Sequence, residues 1–190
     1  MINITLPDGS VKQVESGSSA LDVAKSISHG LARAVLSAKF NGETVEPSTP
    51  LTTDGSLVLF TWDQAEGKTA FWHSSAHVLA QALEELYPGV HLTIGPAISQ
   101  GFYYDIDLGE QTISEKDIPS IEKKMIEMAR QKAEFSMREV SKKDALEFYK
   151  GNQYKTELIE NLEDGTITFC DHSNFTDLCR GGHIPNTGLI

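Results

Sequence analysis

No apolar run in this 190-residue chain approaches the ~18 residues that a membrane-spanning helix needs. The opening MINITLPDGS also lacks the basic start and apolar middle of a secretion signal. A cytosolic protein without a membrane partner is the simplest expectation. Cysteine is scarce: Cys170 and Cys179 are the only two, too few and too late in the chain for a disulfide framework, so reduced thiols are expected. Positive charge is short as well, with 16 Lys and Arg against 27 Asp and Glu and a formal charge of -11. That balance argues against an autonomous nucleic-acid binder, because sequence-independent affinity for phosphates comes mainly from Lys and Arg. The shortage is uneven. Ten of the 16 basic residues lie between Lys116 and Lys155, against seven acids there, a local excess of +3. A modest basic face and ordinary solvated helix surfaces both account for it.

A hydrophobic fraction of 39% with 23% charged residues describes an ordinary globular protein, and the length suits two domains. Ile2, Ile4 and Leu6 alternate, the chain turns at Pro7-Asp8-Gly9 and resumes at Val11, which predicts a hairpin. Ser18 and Ser19 are placed to cap a short helix carrying Leu21, Ala24 and Ile27 and stopping near Gly30. A strand in AVLSAKF, a turn at Asn41-Gly42 and a strand in LVLF follow. Hairpin, helix and further strands over residues 1–62 make a β-grasp pattern, with no catalytic cluster in it.

DQAEGK, residues 63–68, reads as a linker into a second domain, residues 63–190. A helix over Phe71–Leu86 stops at Pro88-Gly89. LTIGPAI and GFYYDIDL read as strands, and Ser114 with Asp117 as the cap of a helix carrying Ile118, Ile121, Met125 and Met128. EFSMREV reads as a strand, Ser141 with Asp144 as a cap for a helix ending near Gly151, and TITFC as a last strand before a Gly-rich tail. The class is α+β, with helices on an antiparallel or mixed sheet.

FWHSSAHVLAQALEEL sets His73 and His77 four apart on a helix. Phe71, Val78, Leu79, Ala82 and Leu86 gather on one side, and the two histidines lie nearly opposite. Alone, such a pair reads equally well as two surface histidines. In NFTDLCRGGHIPNTG, Cys179 and His183 repeat the four-residue spacing, so the chain holds two His/Cys pairs of the types zinc prefers. Ser74 stands where a helical zinc protease needs glutamate, which excludes that class. A structural zinc site, a catalytic zinc and metal-free acid–base work all remain open. Asp177 is placed to orient a histidine or water, and Arg180-Gly181-Gly182 offers a charge and backbone N–H groups to an anion or carbonyl. Ordinary loop chemistry explains those residues too.

The β-grasp module followed by HSSAHVLAQAL, IGPAISQGFYYD and DLCRGGHIPNTG resembles the N-terminal region of bacterial threonyl-tRNA synthetases over essentially the whole chain. Residues 1 to about 62 are similar to the TGS module and about 63 to 190 to most of the editing domain. The resemblance implies a hydrolase that removes serine from the tRNA meant for threonine. It carries the pocket roles onto His73, His77, Cys179 and His183, the acidic residue onto Asp177, and the lysine of a Tyr-Lys pair onto Lys155. On that basis His73 or His183, helped by Lys155, handles the attacking water, His77 and Asp177 fix the arrangement, and Cys179 shapes the pocket. Two departures stand out: the family often has proline where Gly182 stands, and an aromatic residue is frequent near Cys170. Implied partners are the acceptor end of the threonine tRNA and the catalytic and anticodon-binding domains of a longer, homodimeric enzyme. The chain itself is expected to be a fragment without the aminoacylation core or that core's zinc. The editing reaction as implied needs no cofactor, while zinc at the His/Cys cluster stays an alternative, as in alanyl-type editing factors. A further alternative is an RNA- or domain-binding module with an inert metal clip.

Overall fold

Ile2 and Ile4 point inward from the first strand, and that alternation sets the first hydrophobic core. A computed structural model describes all of Met1–Ile190, which forms two compact units: residues 1–71 with 181–185, and residues 72–180 with 186–190. In the first unit, β1 (Ile2–Thr5) pairs antiparallel with β2 (Val11–Val14), with Ile2 opposite Val14 and Thr5 opposite Val11. Helix α1 (Ala20–Ile27) starts in a full capping box: Asp22 N–H donates to Ser19 Oγ at 3.2 Å, and Ser19 N–H donates back to the Asp22 carboxylate at 2.9 Å. The Ser19 hydroxyl also donates to that carboxylate at 2.7 Å, and the two Ser19 donors, the backbone one first, hold the Asp22 carboxyl below the usual range.

Helix α1 ends before the expected Gly30. Ser28 closes it and at once caps a second short helix, α2 (His29–Ala34), by accepting from Leu31 N–H at 3.0 Å. Strands β3 (Ser37–Phe40), β4 (Glu43–Val45) and β5 (Gly55–Phe60) complete a sheet in the order β2-β1-β5-β3-β4. The β1–β5 pairing is parallel and the other pairings antiparallel, so the sheet is mixed. Ala20 and Val23 of α1 pack on Ile2, Ile4, Ala38, Leu51 and Leu57. Each of the large aliphatic side chains here contributes roughly 1.5–3 kcal/mol of burial free energy.

The expected linker at 63–68 is largely helix. Gln64 Oε1 accepts the Thr61 N–H at 2.7 Å, and α3 runs from Ala65 to Leu86. Gly67 permits this start, because a Cβ there would lie 1.9 Å from the Thr61 carbonyl oxygen. The second unit takes α3 from Trp72 onward.

After the stop at Pro88-Gly89 the expected long strands break into two-residue pairs. β6 (His91–Leu92) pairs with β9 (Ile106–Asp107), and β7 (Ala97–Ile98) with β8 (Gly101–Phe102). Tyr103–Asp105 lies outside the strands, interrupting the Phe102–Leu108 alternation. Helix α4 (Ile118–Ala129) is not capped by Ser114. The Asp117 carboxylate instead takes the Ser114 N–H and hydroxyl, both at 2.8 Å, in a turn just outside the helix, and Pro119 starts the helix where no N–H is required.

Strand β10 (Ser136–Glu139), α5 (Lys142–Phe148, capped by Ser141), α6 (Gln153–Glu160), β11 (Thr168–His172) and β12 (Phe175–Leu178) follow. They give an antiparallel sheet β10-β11-β12, and a 3-10 turn closes the chain at Thr187–Leu189. Neither α6 nor β12 stood out in the sequence, since β12 lies inside what reads as a polar tail. One core joins Ala80 and Leu83 of α3 to Leu92, Ile121 and Phe175; another joins Ala145, Ile159, Ile167 and Phe169. The class is α+β, with a β-grasp-like first unit. No helix is long and apolar enough to cross a membrane.

Candidate functional site

Helix α3 is buried on more than its apolar stripe. Ser74, Ser75, Ala76, His77, Ala80 and Gln81 are all buried, His73 is half-buried, and Leu86 is exposed. The reading of two surface histidines therefore fails. Small side chains on the histidine side let neighbouring elements come close, so that side is a second packing surface. One helical turn apart, the His73 and His77 rings stand edge to face with centroids 4.8 Å apart.

Strand β12 meets this surface. Its alternation turns Phe175 and Asp177 inward, with Asp177 opposite Cys170 of β11. Asp177 gathers partners from four other stretches of chain. Lys155 Nζ of α6 lies 2.6 Å from Oδ1, and both side chains are at most 4% exposed. Tyr104 and Tyr149 donate their hydroxyls to Oδ2 and Oδ1 at 2.8 and 3.2 Å, and His77 Nδ1 is 3.5 Å from Oδ2. Burial, reinforced by the Asp177 charge, pushes the Tyr104 phenol well above its ordinary range and raises Tyr149 the same way. Both phenols therefore stay protonated and keep donating to the carboxylate.

Cys179 lies one residue beyond β12. Its N–H donates to Thr168 O at 3.1 Å, its carbonyl accepts from the Thr168 hydroxyl, and Sγ sits 3.1 Å from His73 Nε2. Both cysteines are buried thiols. Beside these groups opens a cavity of about 330 Å³ in the second unit. Of the residues singled out in the sequence, His73, His77, Lys155, Asp177, Cys179 and Arg180 line it. Leu158, Leu162 and Ile94 add apolar wall, and Thr166 and Thr168 add hydroxyls.

Tyr104, Tyr149 and Thr168 escaped sequence reasoning. Nothing in their local pattern marks them, and only the fold brings them to Asp177 and Cys179. Gly95 belongs with them, since a Cβ there would lie 2.2 Å from Tyr104 Cδ2. Gly95→Ala is expected to displace the Tyr104 ring from Asp177 and to cost about 1–3 kcal/mol of stability, read by urea unfolding. An unchanged midpoint would show that the ring yields without loss.

His183, Gly181 and Gly182 count with the first unit. Gly181 and Gly182 have φ of +92° and +90°, where a side chain is strained. The Gly182 N–H is not open to an outside anion as expected, because it donates to Glu46 Oε1 at 2.8 Å, and the His183 N–H donates to Glu46 Oε2 at 3.0 Å. A carboxylate of the chain itself occupies the turn. Proline, frequent here in the resembled family, could make neither that bond nor that φ.

The donor atoms of His73, His77 and Cys179 lie within 4.8 Å of one another, so they form a cluster able to hold a metal ion. Two imidazoles and a thiol suit zinc chemically. Ligands of tetrahedral zinc sit about 3.6 Å apart for an N–S pair, so the 3.1 Å His73–Cys179 contact is that of a direct hydrogen bond. The pair would have to open slightly around an ion.

A buried lysine–aspartate pair, a histidine–thiol pair and a shared cavity define a site built for polar chemistry in a partly desolvated setting, on an α+β scaffold behind a β-grasp module. Comparison with known proteins places the chain more narrowly. Residues 2–61 match the family model of the TGS domain. All 190 residues align at 66% identity with the threonine–tRNA ligase of Flavobacterium johnsoniae, covering 29% of that protein. The whole chain also aligns at 54% and 51% identity with the threonine–tRNA ligases of Cytophaga hutchinsonii and Bacteroides thetaiotaomicron, covering 30% of each. The chain thus spans about three-tenths of the length of these relatives. It corresponds over its full length to the N-terminal region of bacterial threonyl-tRNA synthetases.

Proposed function

We propose that this chain is the editing portion of a threonyl-tRNA synthetase and hydrolyses the ester joining serine to the threonine tRNA. The observation that carries this reading is the second unit's cavity, with the His73–Cys179 pair and the Lys155–Asp177 pair both in its wall. Hydrolysis of an activated ester needs a positioned water, a group to take its proton and a stabiliser for the developing oxyanion. His73, half-buried on the wall, is assigned the proton. One of the three N–H donors of Lys155 goes to Asp177, which leaves two for a substrate oxygen or the oxyanion. Asp177 and the two tyrosines hold that ammonium in place, His77 braces Asp177, and Cys179 orients His73. Arg180, exposed at the cavity, is assigned a substrate phosphate.

Discrimination follows from size. Serine and threonine share the hydroxyl, and a single methyl is worth about 1–3 kcal/mol, roughly 10–200-fold. A cavity wall that crowds the extra methyl therefore favours serine. The chain, incubated with seryl- and threonyl-esters of the threonine tRNA, is expected to release serine faster by a factor within that range. Equal rates would sink the specificity assignment. The threonine tRNA, the remaining domains of a homodimeric enzyme and a cytoplasmic setting are the partners and place that go with this reading.

A second reading is favoured by the close approach of the His73, His77 and Cys179 donors: these residues would hold zinc, which would polarise the ester carbonyl in a metal-dependent hydrolase. Metal content of protein purified without chelator separates the two. Stoichiometric zinc, with hydrolysis lost on chelation, would replace the metal-free assignment.

A further inference from the structure

Glu46 directly follows β4, and its carboxylate takes three contacts from one short stretch of chain. Oε1 accepts the Gly182 N–H at 2.8 Å and lies 3.0 Å from His183 Nδ1, while Oε2 accepts the His183 N–H at 3.0 Å. The His183 side chain is 0% exposed and that of Glu46 11%, so water competes little for these bonds. An ionised carboxylate has only acceptors, so the contact at Nδ1 requires a proton on that nitrogen. In the neutral ring the lone pair then sits on Nε2. The same two oxygens hold the peptide N–H groups on both sides of Gly182, which restrains the backbone leading into the ring's Cα as well as its tautomer. The left-handed turn at Gly181-Gly182 brings both N–H groups to one carboxylate.

We propose that Glu46 is the positioning residue of His183: it holds the imidazole as the Nδ1–H tautomer and presents Nε2 as the acceptor. The proposal goes beyond the editing reading and does not depend on it, because the tautomer is a property of the chain alone.

The test is a long-range proton–nitrogen spectrum of the labelled 190-residue chain at mildly alkaline pH, where imidazole is ordinarily neutral. His183 is expected to show a protonated Nδ1 and an unprotonated Nε2 in the native sequence and in Glu46→Asp. A shift towards the other tautomer is expected in Glu46→Ala. A native His183 carrying its proton on Nε2, or a spectrum unchanged in Glu46→Ala, overturns the proposal; the native spectrum decides even if a variant fails to fold. A native chain with the stated tautomer but no hydrolysis would remove the editing reading and leave the Glu46–His183 assignment standing.

Discussion

Asp177→Leu is expected to lower the stability of the second unit by about 3–5 kcal/mol, because it strands a buried ammonium. Lys155 lies 2.6 Å from Asp177 with both side chains at most 4% exposed, so no water shell is at hand to replace the carboxylate. Two phenols lose their acceptor in the same step, and an orphaned buried donor costs roughly 1–3 kcal/mol by itself. Lys155→Met should cost less, since Asp177 keeps both tyrosine donors. The double replacement Lys155→Met with Asp177→Leu should recover part of the loss, because an apolar pair of similar volume is often no worse than a buried ion pair. Urea unfolding followed at the β11–β12 amides measures all three. A loss under about 1 kcal/mol for Asp177→Leu, the size of a surface pair, would mean that this carboxylate does not hold the unit together.

His73→Ala is expected to leave folding nearly intact and to slow seryl-ester hydrolysis by about 10²–10⁴-fold, the range for loss of a general base. The side chain is half-buried at the cavity rather than packed in a core, so truncation removes chemistry more than packing. Single-turnover hydrolysis isolates that step from binding. Cys179→Ala is the informative companion: a thiol that only orients His73 through their 3.1 Å contact should leave measurable activity. Loss equal to that of His73→Ala would point to a nucleophilic sulfur instead. A native rate in His73→Ala would remove that histidine from the proton-transfer role.

The chain's own pattern disclosed the parts of the fold governed by near neighbours. Ile2/Ile4 alternation, the serine cap at Ser19, the Asn41-Gly42 turn and the Pro88-Gly89 stop are all local chemistry, and the structure carries each of them. The i,i+4 spacing singled out His73 and His77, which both line the cavity, for the same reason. The errors came where a distant contact decided the outcome. Residues 63–68 look like a linker, yet Gly67 lets a helix start against Thr61. Phe102–Leu108 alternates like a strand, yet forms ladder pairs only at Phe102 and at Ile106–Asp107, with different partner strands. Strand β12 hides in a polar tail because its inward positions include Asp177, a charge that becomes tolerable only once Lys155 and two tyrosines reach it. Tyr104, Tyr149 and Glu46 could not be found from spacing at all, since each acts across at least 28 residues of sequence, and Gly95 is marked only by its close approach to the Tyr104 ring.

The cavity has jaws of unequal stiffness. On one side stand Thr168, Asp177 and Leu178 in the β11–β12 ladder, which is four residue pairs long. On the other, Thr93, Ile94 and Gly95 are tied in by neighbouring two-residue pairings and the Thr93–Asp105 and Asp105–Ile94 backbone bonds. Short ladders open at lower free energy than long ones, so a guest entering here is received by a yielding lip against a fixed anvil. Apart from Tyr104, which reaches Asp177 from the lip, the groups assigned to chemistry ride on the anvil and its helices, so the lip can mould itself to whatever the esterified end brings in.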